Sequence, residues 1–97
     1  MLPDKINICG VPYTVRCCDD SFQSDSLHFG EIKYEHGEIR INRAMPEQLK
    51  MQTLIHEWVH GALVMIGRNA EYEDENLVQC LAVAINNTFT LKEEQKT

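Results

Sequence analysis

From Leu54 to Ile66 the chain is apolar on nearly every side of a helical wheel, yet the stretch carries His56-Glu57-Trp58-Val59-His60. A helix that is apolar all round has to be buried, so this segment is expected at the centre of whatever the chain folds into. Buried imidazoles need partners for their ring nitrogens. Residues at i and i+4 share one helical face, so His56 and His60 can reach the same ion. A metal would satisfy one nitrogen of each ring and leave the other for a nearby acceptor. Glu57, beside the first histidine, is placed to take a proton from a water on that ion. This is the H-E-x-x-H pattern, in which the spacing itself carries the mechanism. Leu49 and Leu63 share the histidine face. Pro46 suits a first helical position, Glu47 suits the first turn and Gly67 a stop, so the helix should run from Pro46 to Gly67.

The rest of the chain reads as a small sheet and a second helix. Ile6 and Ile8 alternate, as do Val11, Tyr13 and Val15, with Cys9-Gly10 as a tight turn between two strands. Pro12 places the second strand at an edge, or leaves it unpaired at that point. Residues 19–26 are polar and turn-rich and should form a surface loop. Over 29–42, Ile32 and Tyr34 alternate, His36-Gly37 turns, and Ile39 and Ile41 return, a hairpin pattern. A second helix is expected from Asp74 to Leu91, with Val78, Leu81, Ala82, Ile85 and Phe89 as its apolar stripe. The tail from Lys92 is polar. The expected fold is α+β, a single domain over 1–97. A small, mostly antiparallel sheet, built from the N-terminal strands and the hairpin, packs on the buried helix, and a second C-terminal helix closes the other side.

Composition narrows the function classes. A net charge of -6 offers no basic stripe for phosphates, which argues against nucleic acid as a partner. No apolar run is long enough for a membrane span and no secretory signal opens the chain, so a cytoplasmic location is expected. The four cysteines, at 9, 17, 18 and 80, include no C-x-x-C pair. Reduced thiols fit better than a zinc knuckle or a disulfide framework.

A catalytic zinc usually has three protein ligands and an open position. The third must come from outside the motif, and the acids Glu71, Glu73, Asp74 and Glu75 are the pool. On the wheel of the second helix, Glu75 borders the apolar stripe, Asp74 falls within it and Glu73 points away. This favours Glu75 and leaves Asp74 as the next choice. His28 and His36 have no partner at ligand spacing.

Thr53-Leu54-Ile55-His56-Glu57-Trp58-Val59-His60-Gly61-Ala62, followed by Glu75-Asn76-Leu77-Val78-Gln79-Cys80-Leu81-Ala82, resembles the minimal gluzincin peptidases. These minigluzincins are related to the ImmA/IrrE-type metallopeptidases and are common in phages and mobile elements. The strands from Ile6 to Val15 and the Gly30–Asn42 hairpin look like the small sheet that precedes the active-site helix in that family. The resemblance implies His56, His60 and Glu75 as Zn2+ ligands, Glu57 as the general base, and hydrolysis of peptide bonds in a narrow set of peptide or protein substrates. For stabilising the oxyanion, Tyr72 is the first choice among Tyr13, Tyr34 and Tyr72, with His28 and His36 as alternatives. The alternative is a non-catalytic zinc-binding interaction module derived from such a peptidase, although binding alone would have no use for Glu57.

Overall fold

The two N-terminal runs pair as β1 (Lys5–Ile8) and β2 (Val11–Cys18), antiparallel, with Ile6 opposite Tyr13. The computed structural model describes residues 2–19 and 29–91. The loop expected beyond Asp19, the position of His28 and the tail from Lys92 lie outside the described residues. Between β1 and β2, Cys9 has φ 50° and Gly10 φ 89°. Two successive positive φ values give the hairpin turn whose twist matches the flanking strands. The Gly10 N–H donates to Asn7 Oδ1 at 2.7 Å and closes it.

β3 (Gly30–Lys33) and β4 (Glu38–Asn42) form the second hairpin. Its connection is wider than the sequence suggests. Tyr34–His36 make one turn of 3-10 helix, so Tyr34 leaves the strand instead of continuing its alternation. Gly37 adopts φ 59° and donates its N–H to the Tyr34 carbonyl at 3.3 Å, which turns the chain into β4. The sheet order is β1-β2-β4-β3, and β2 runs parallel to β4, with Val15 beside Ile39. The fold is α+β with a mixed sheet, since the two antiparallel hairpins join through one parallel pairing. β2 is therefore internal, and Pro12 is tolerated because pairing with β4 begins only at Thr14.

The inward face of the sheet carries Ile8, Tyr13, Val15, Ile39 and Ile41, which bury with Leu54 of the long helix α1 (Glu47–Met65). Pro46 is the N-cap, one residue earlier than its expected place. At the other end Gly67 has φ 80°, its N–H reaches the Val64 carbonyl at 3.1 Å, and Arg68 N–H reaches Leu63 at 2.8 Å. This pair of bonds is the Schellman closure that stops a helix at a glycine. Two other glycines set how close α1 lies to the sheet. A Cβ on Gly61 would meet Ile8 Cδ1 at 2.8 Å, and one on Gly30 would meet Thr53 Cγ2 at 2.7 Å.

A four-residue helix, α2 (Asn69–Tyr72), interrupts the expected connection, and α3 (Glu75–Thr88) follows. α3 covers the flank of α1 opposite the sheet. Ile55 and Val59 bury there against Val78 and Ala82. The buried stripe of α3 is narrower than expected: Leu81 is 38% and Phe89 68% exposed. α3 packs mainly on α1, so only the line of residues facing α1 is covered. Asp74 precedes α3 as its cap, and the helix stops at Thr88, short of Leu91. The four cysteines are unpaired. Among the described residues, no helix is long and apolar enough to cross a membrane.

Candidate metal centre

The residues of the H-E-x-x-H segment occupy the middle of α1, where the sheet lies on one side and α3 on the other. Packing thus fixes the helix on two flanks and leaves its histidine face open. α3 then supplies an acid to that face. The Asp74 carboxylate accepts the Leu77 N–H at 3.0 Å and so caps the helix. This leaves Glu75 as the first helical residue, over the histidines. Glu75 Oε1 lies 2.9 Å from His60 Nε2, and Oε2 lies 3.2 Å from His56 Nε2. His56, His60 and Glu75 offer one ligand atom each, all within 4.8 Å of one another. The other acids are elsewhere: Asp74 is the cap, Glu71 pairs with Arg68 at 2.6 Å, and Glu73 is exposed at the end of α2. His36 is exposed at the end of the 3-10 turn.

His56 Nδ1 lies 2.8 Å from Gln79 Oε1, one turn along α3 from Glu75. An amide oxygen only accepts, so Nδ1 carries the proton. In the neutral ring Nε2 is then a bare lone pair, facing a carboxylate oxygen at 3.2 Å. Two acceptors in contact repel unless a proton or a metal ion lies between them. His60 is buried and its Nδ1 has no hydrogen bond of good geometry. Burial, foremost, pushes the His60 pKa down, with His56 adding to the effect, while Glu75 and the nearby Tyr72 main chain oppose it. A neutral imidazole is the ligand form. Ligands about 2.0–2.1 Å from a tetrahedral zinc lie roughly 3.3 Å apart; here the two Glu75 oxygens stand 2.9 and 3.2 Å from the imidazole nitrogens, and one ligand atom from each of the three residues lies within 4.8 Å of the others. The two nitrogens and one carboxylate are a set that could hold a metal ion.

Glu57 is buried, with 8% of its surface exposed. Burial pushes its carboxyl pKa up to about 7; His56 pulls it down, and the Glu75 and Glu31 charges add to the rise. It stands beside the ligand group without belonging to it. All of these side chains line a cleft of about 550 Å³. Along one wall runs β3, one of the two edge strands. The Asn42 N–H to Phe29 carbonyl bond, 2.8 Å, sets its phase. In an antiparallel ladder the intervening residues, Gly30 and Ile32, turn their N–H and C=O groups away from β4. Tyr72 lines the cleft with its ring edge-on to His60, centroids 5.1 Å apart.

Gln79 went unremarked in the sequence, although it had a legible signal, because it lies four residues after Glu75 on the same helical face. Tyr34, one of the tyrosines weighed for the oxyanion, is placed differently from its expected strand position. Its hydroxyl is buried without a hydrogen bond of good geometry, and burial, Tyr72 and Glu57 together push its pKa upward. It reaches this position because the strand breaks into a 3-10 turn, which alternation alone does not foretell. No protein-family model, curated protein or solved structure matches this chain.

Proposed function

We propose that this protein is a zinc-dependent peptidase of the minimal gluzincin type, acting in the cytoplasm on a narrow set of peptide or protein substrates. The observation that carries the reading is the Glu75 carboxylate lying against both motif imidazoles, with buried Glu57 next to them. A structural site would need no such carboxylate beside its ligands. His56, His60 and Glu75 would hold the ion. Zinc held there supplies Lewis acidity, lowering the pKa of a water and polarising the scissile carbonyl.

The chain's own groups do the rest. Glu57 accepts the proton of the attacking water and returns it to the leaving amine. A carboxyl held near neutrality by burial is suited to both transfers; a cation beside it draws its pKa lower and favours the accepting form. Gln79 holds His56 in the tautomer that turns Nε2 to the centre. The outward N–H and C=O groups of Gly30 and Ile32 can bind an extended peptide as an added strand. Tyr72 is within the cleft to donate to the developing oxyanion.

The test is zinc content by elemental analysis, paired with a proteome-wide cleavage screen by mass spectrometry. Wild type should hold one zinc and cleave. His56→Ala with His60→Ala should lose the zinc. Glu57→Gln should keep the zinc and lose about 10²-fold or more of the activity. Unchanged zinc in the double variant would overturn the ligand assignment. A zinc-loaded wild type that cleaves nothing would favour the interaction module.

A further inference from the structure

A buried polar atom that finds no partner costs stability, so each one calls for a reason. Among the described residues, two buried side-chain atoms lack a hydrogen bond of good geometry: Tyr34 Oη and His60 Nδ1. Both stand at Tyr72. The His60 and Tyr72 rings meet edge-on, centroids 5.1 Å apart, with the Tyr72 main chain beside the imidazole. The Tyr34 hydroxyl has Tyr72, Glu57 and Tyr13 as ionisable neighbours, and of these Tyr72 is the one within its hydrogen-bonding reach.

Tyr34 stands behind the cleft wall. Tyr72 lines the cleft and Tyr34 does not. The Tyr34 ring packs against the buried cluster shared by the sheet and α1. For that packing a phenylalanine would serve as well, without a buried O–H. The ring reaches this position only because Tyr34–His36 leave the strand for a 3-10 turn. Phenol chemistry gives the hydroxyl a direction. A phenol oxygen both donates and accepts, but it carries one proton. Burial, foremost, holds the Tyr34 proton in place, and the Tyr72 and Glu57 neighbours add to the effect. Tyr34 is therefore the donor of the pair and the Tyr72 oxygen the acceptor. The single Tyr72 proton is left for the cleft. Accepting one hydrogen bond also strengthens the bond that the same hydroxyl donates.

We propose that Tyr34 is a positioning residue for the oxyanion donor: its buried hydroxyl donates to the Tyr72 hydroxyl oxygen and so turns the Tyr72 O–H into the cleft. The proposal rests on the peptidase reading and extends its machinery to a residue outside the cleft. The competing acceptor is Glu57, the other polar neighbour of Tyr34, and the experiment separates the two.

The probe is a quenched fluorescent peptide carrying a bond that the zinc-loaded wild type cuts. Tyr72→Phe should lower kcat by about 10²-fold, as loss of an oxyanion donor does. Tyr34→Phe should lower kcat by about tenfold with KM unchanged, the lower end for removing an outer-shell partner. It should keep both the zinc content and the Tm of wild type, because the ring remains. The double variant should match Tyr72→Phe alone. In a crystal structure of the zinc-loaded wild type, Tyr34 Oη should stand about 2.7–2.8 Å from Tyr72 Oη. A separation beyond about 3.5 Å overturns the proposal whatever the kinetics. So does an unchanged kcat in Tyr34→Phe, or a loss that comes with lower Tm or zinc content and so marks the hydroxyl as structural. A Tyr34→Phe loss that persists in the Tyr72→Phe background also overturns it and makes Glu57 the acceptor. Each of these leaves the peptidase reading standing. Zinc-loaded wild type that cuts no peptide removes that reading and the Tyr34 role with it.

Discussion

A carboxyl with 8% of its surface exposed is costly to ionise, and Glu57 carries that cost at the centre of the cleft. Its folded pKa, about 7, exceeds the ordinary 4.5. The metal-free fold therefore favours the protonated form. The associated stability is fully present below pH 4.5 and disappears as pH rises through about 7. The difference is about 3 kcal/mol at most for a shift of this size. His60 acts in the opposite sense, because its lowered pKa destabilises the fold as pH falls through its ordinary value. A comparison at one position separates the two. Metal-free Glu57→Gln should be more stable than metal-free wild type at pH 8, by roughly 2–3 kcal/mol, and nearly equal to it at pH 4.5. Urea unfolding at both pH values measures this. An equal difference at the two pH values would show that charge burial is not the cause. Gln79 offers a second residue-scale prediction. Gln79→Ala frees His56 Nδ1 and should weaken zinc binding by about 10–100-fold. Chelator competition reads the loss, and unchanged affinity would show that the 2.8 Å contact does not orient the ring.

At the scale of elements, what the sequence discloses depends on local chemistry. α1 was readable because Pro46 and Gly67 punctuate it and because an all-round apolar pattern has few interpretations. The β1–β2 turn was readable from Cys9-Gly10 between alternating runs. The parallel β2–β4 pairing was not, since register between strands apart in sequence leaves no local mark. α2 spans four residues, too few for any periodicity. The start of α3 lay between two acids, and capping decided it: Asp74 turns its carboxylate to Leu77 N–H, which leaves Glu75 to face the histidines. The same bond yields a test. Asp74→Ala should cost about 1 kcal/mol in stability, as helix N-caps do, and should also weaken zinc binding, because the first turn of α3 presents Glu75. Asp74→Ser, which keeps a capping oxygen, should restore both. Zinc affinity unchanged in Asp74→Ala would separate the cap from the centre.

For the whole molecule, the candidate centre lies at a join. The sheet and α1 share one buried cluster through Leu54, while α1 and α3 share another, formed by Ile55, Val59, Val78 and Ala82. The second is the smaller, and α3 is the outer layer. A chain of 97 residues builds a modest core, and its layers need not be equally secure. His56 and His60 belong to α1 and Glu75 to α3, so an ion at the centre would fasten α3 to the rest. Zinc at 100-fold above its dissociation constant adds about 2.7 kcal/mol to unfolding. For a domain of this size that is a rise of roughly 10–20 °C in Tm. The rise should persist in Glu57→Gln, which keeps the ligands, and vanish when both histidines become alanine. Hydrogen exchange locates the gain. Protection should increase most over Glu75–Thr88, because the ion closes the opening by which α3 leaves α1, and least over β2 and β4, the central strands on the larger buried cluster. An increase confined to the sheet would place the metal away from His56, His60 and Glu75.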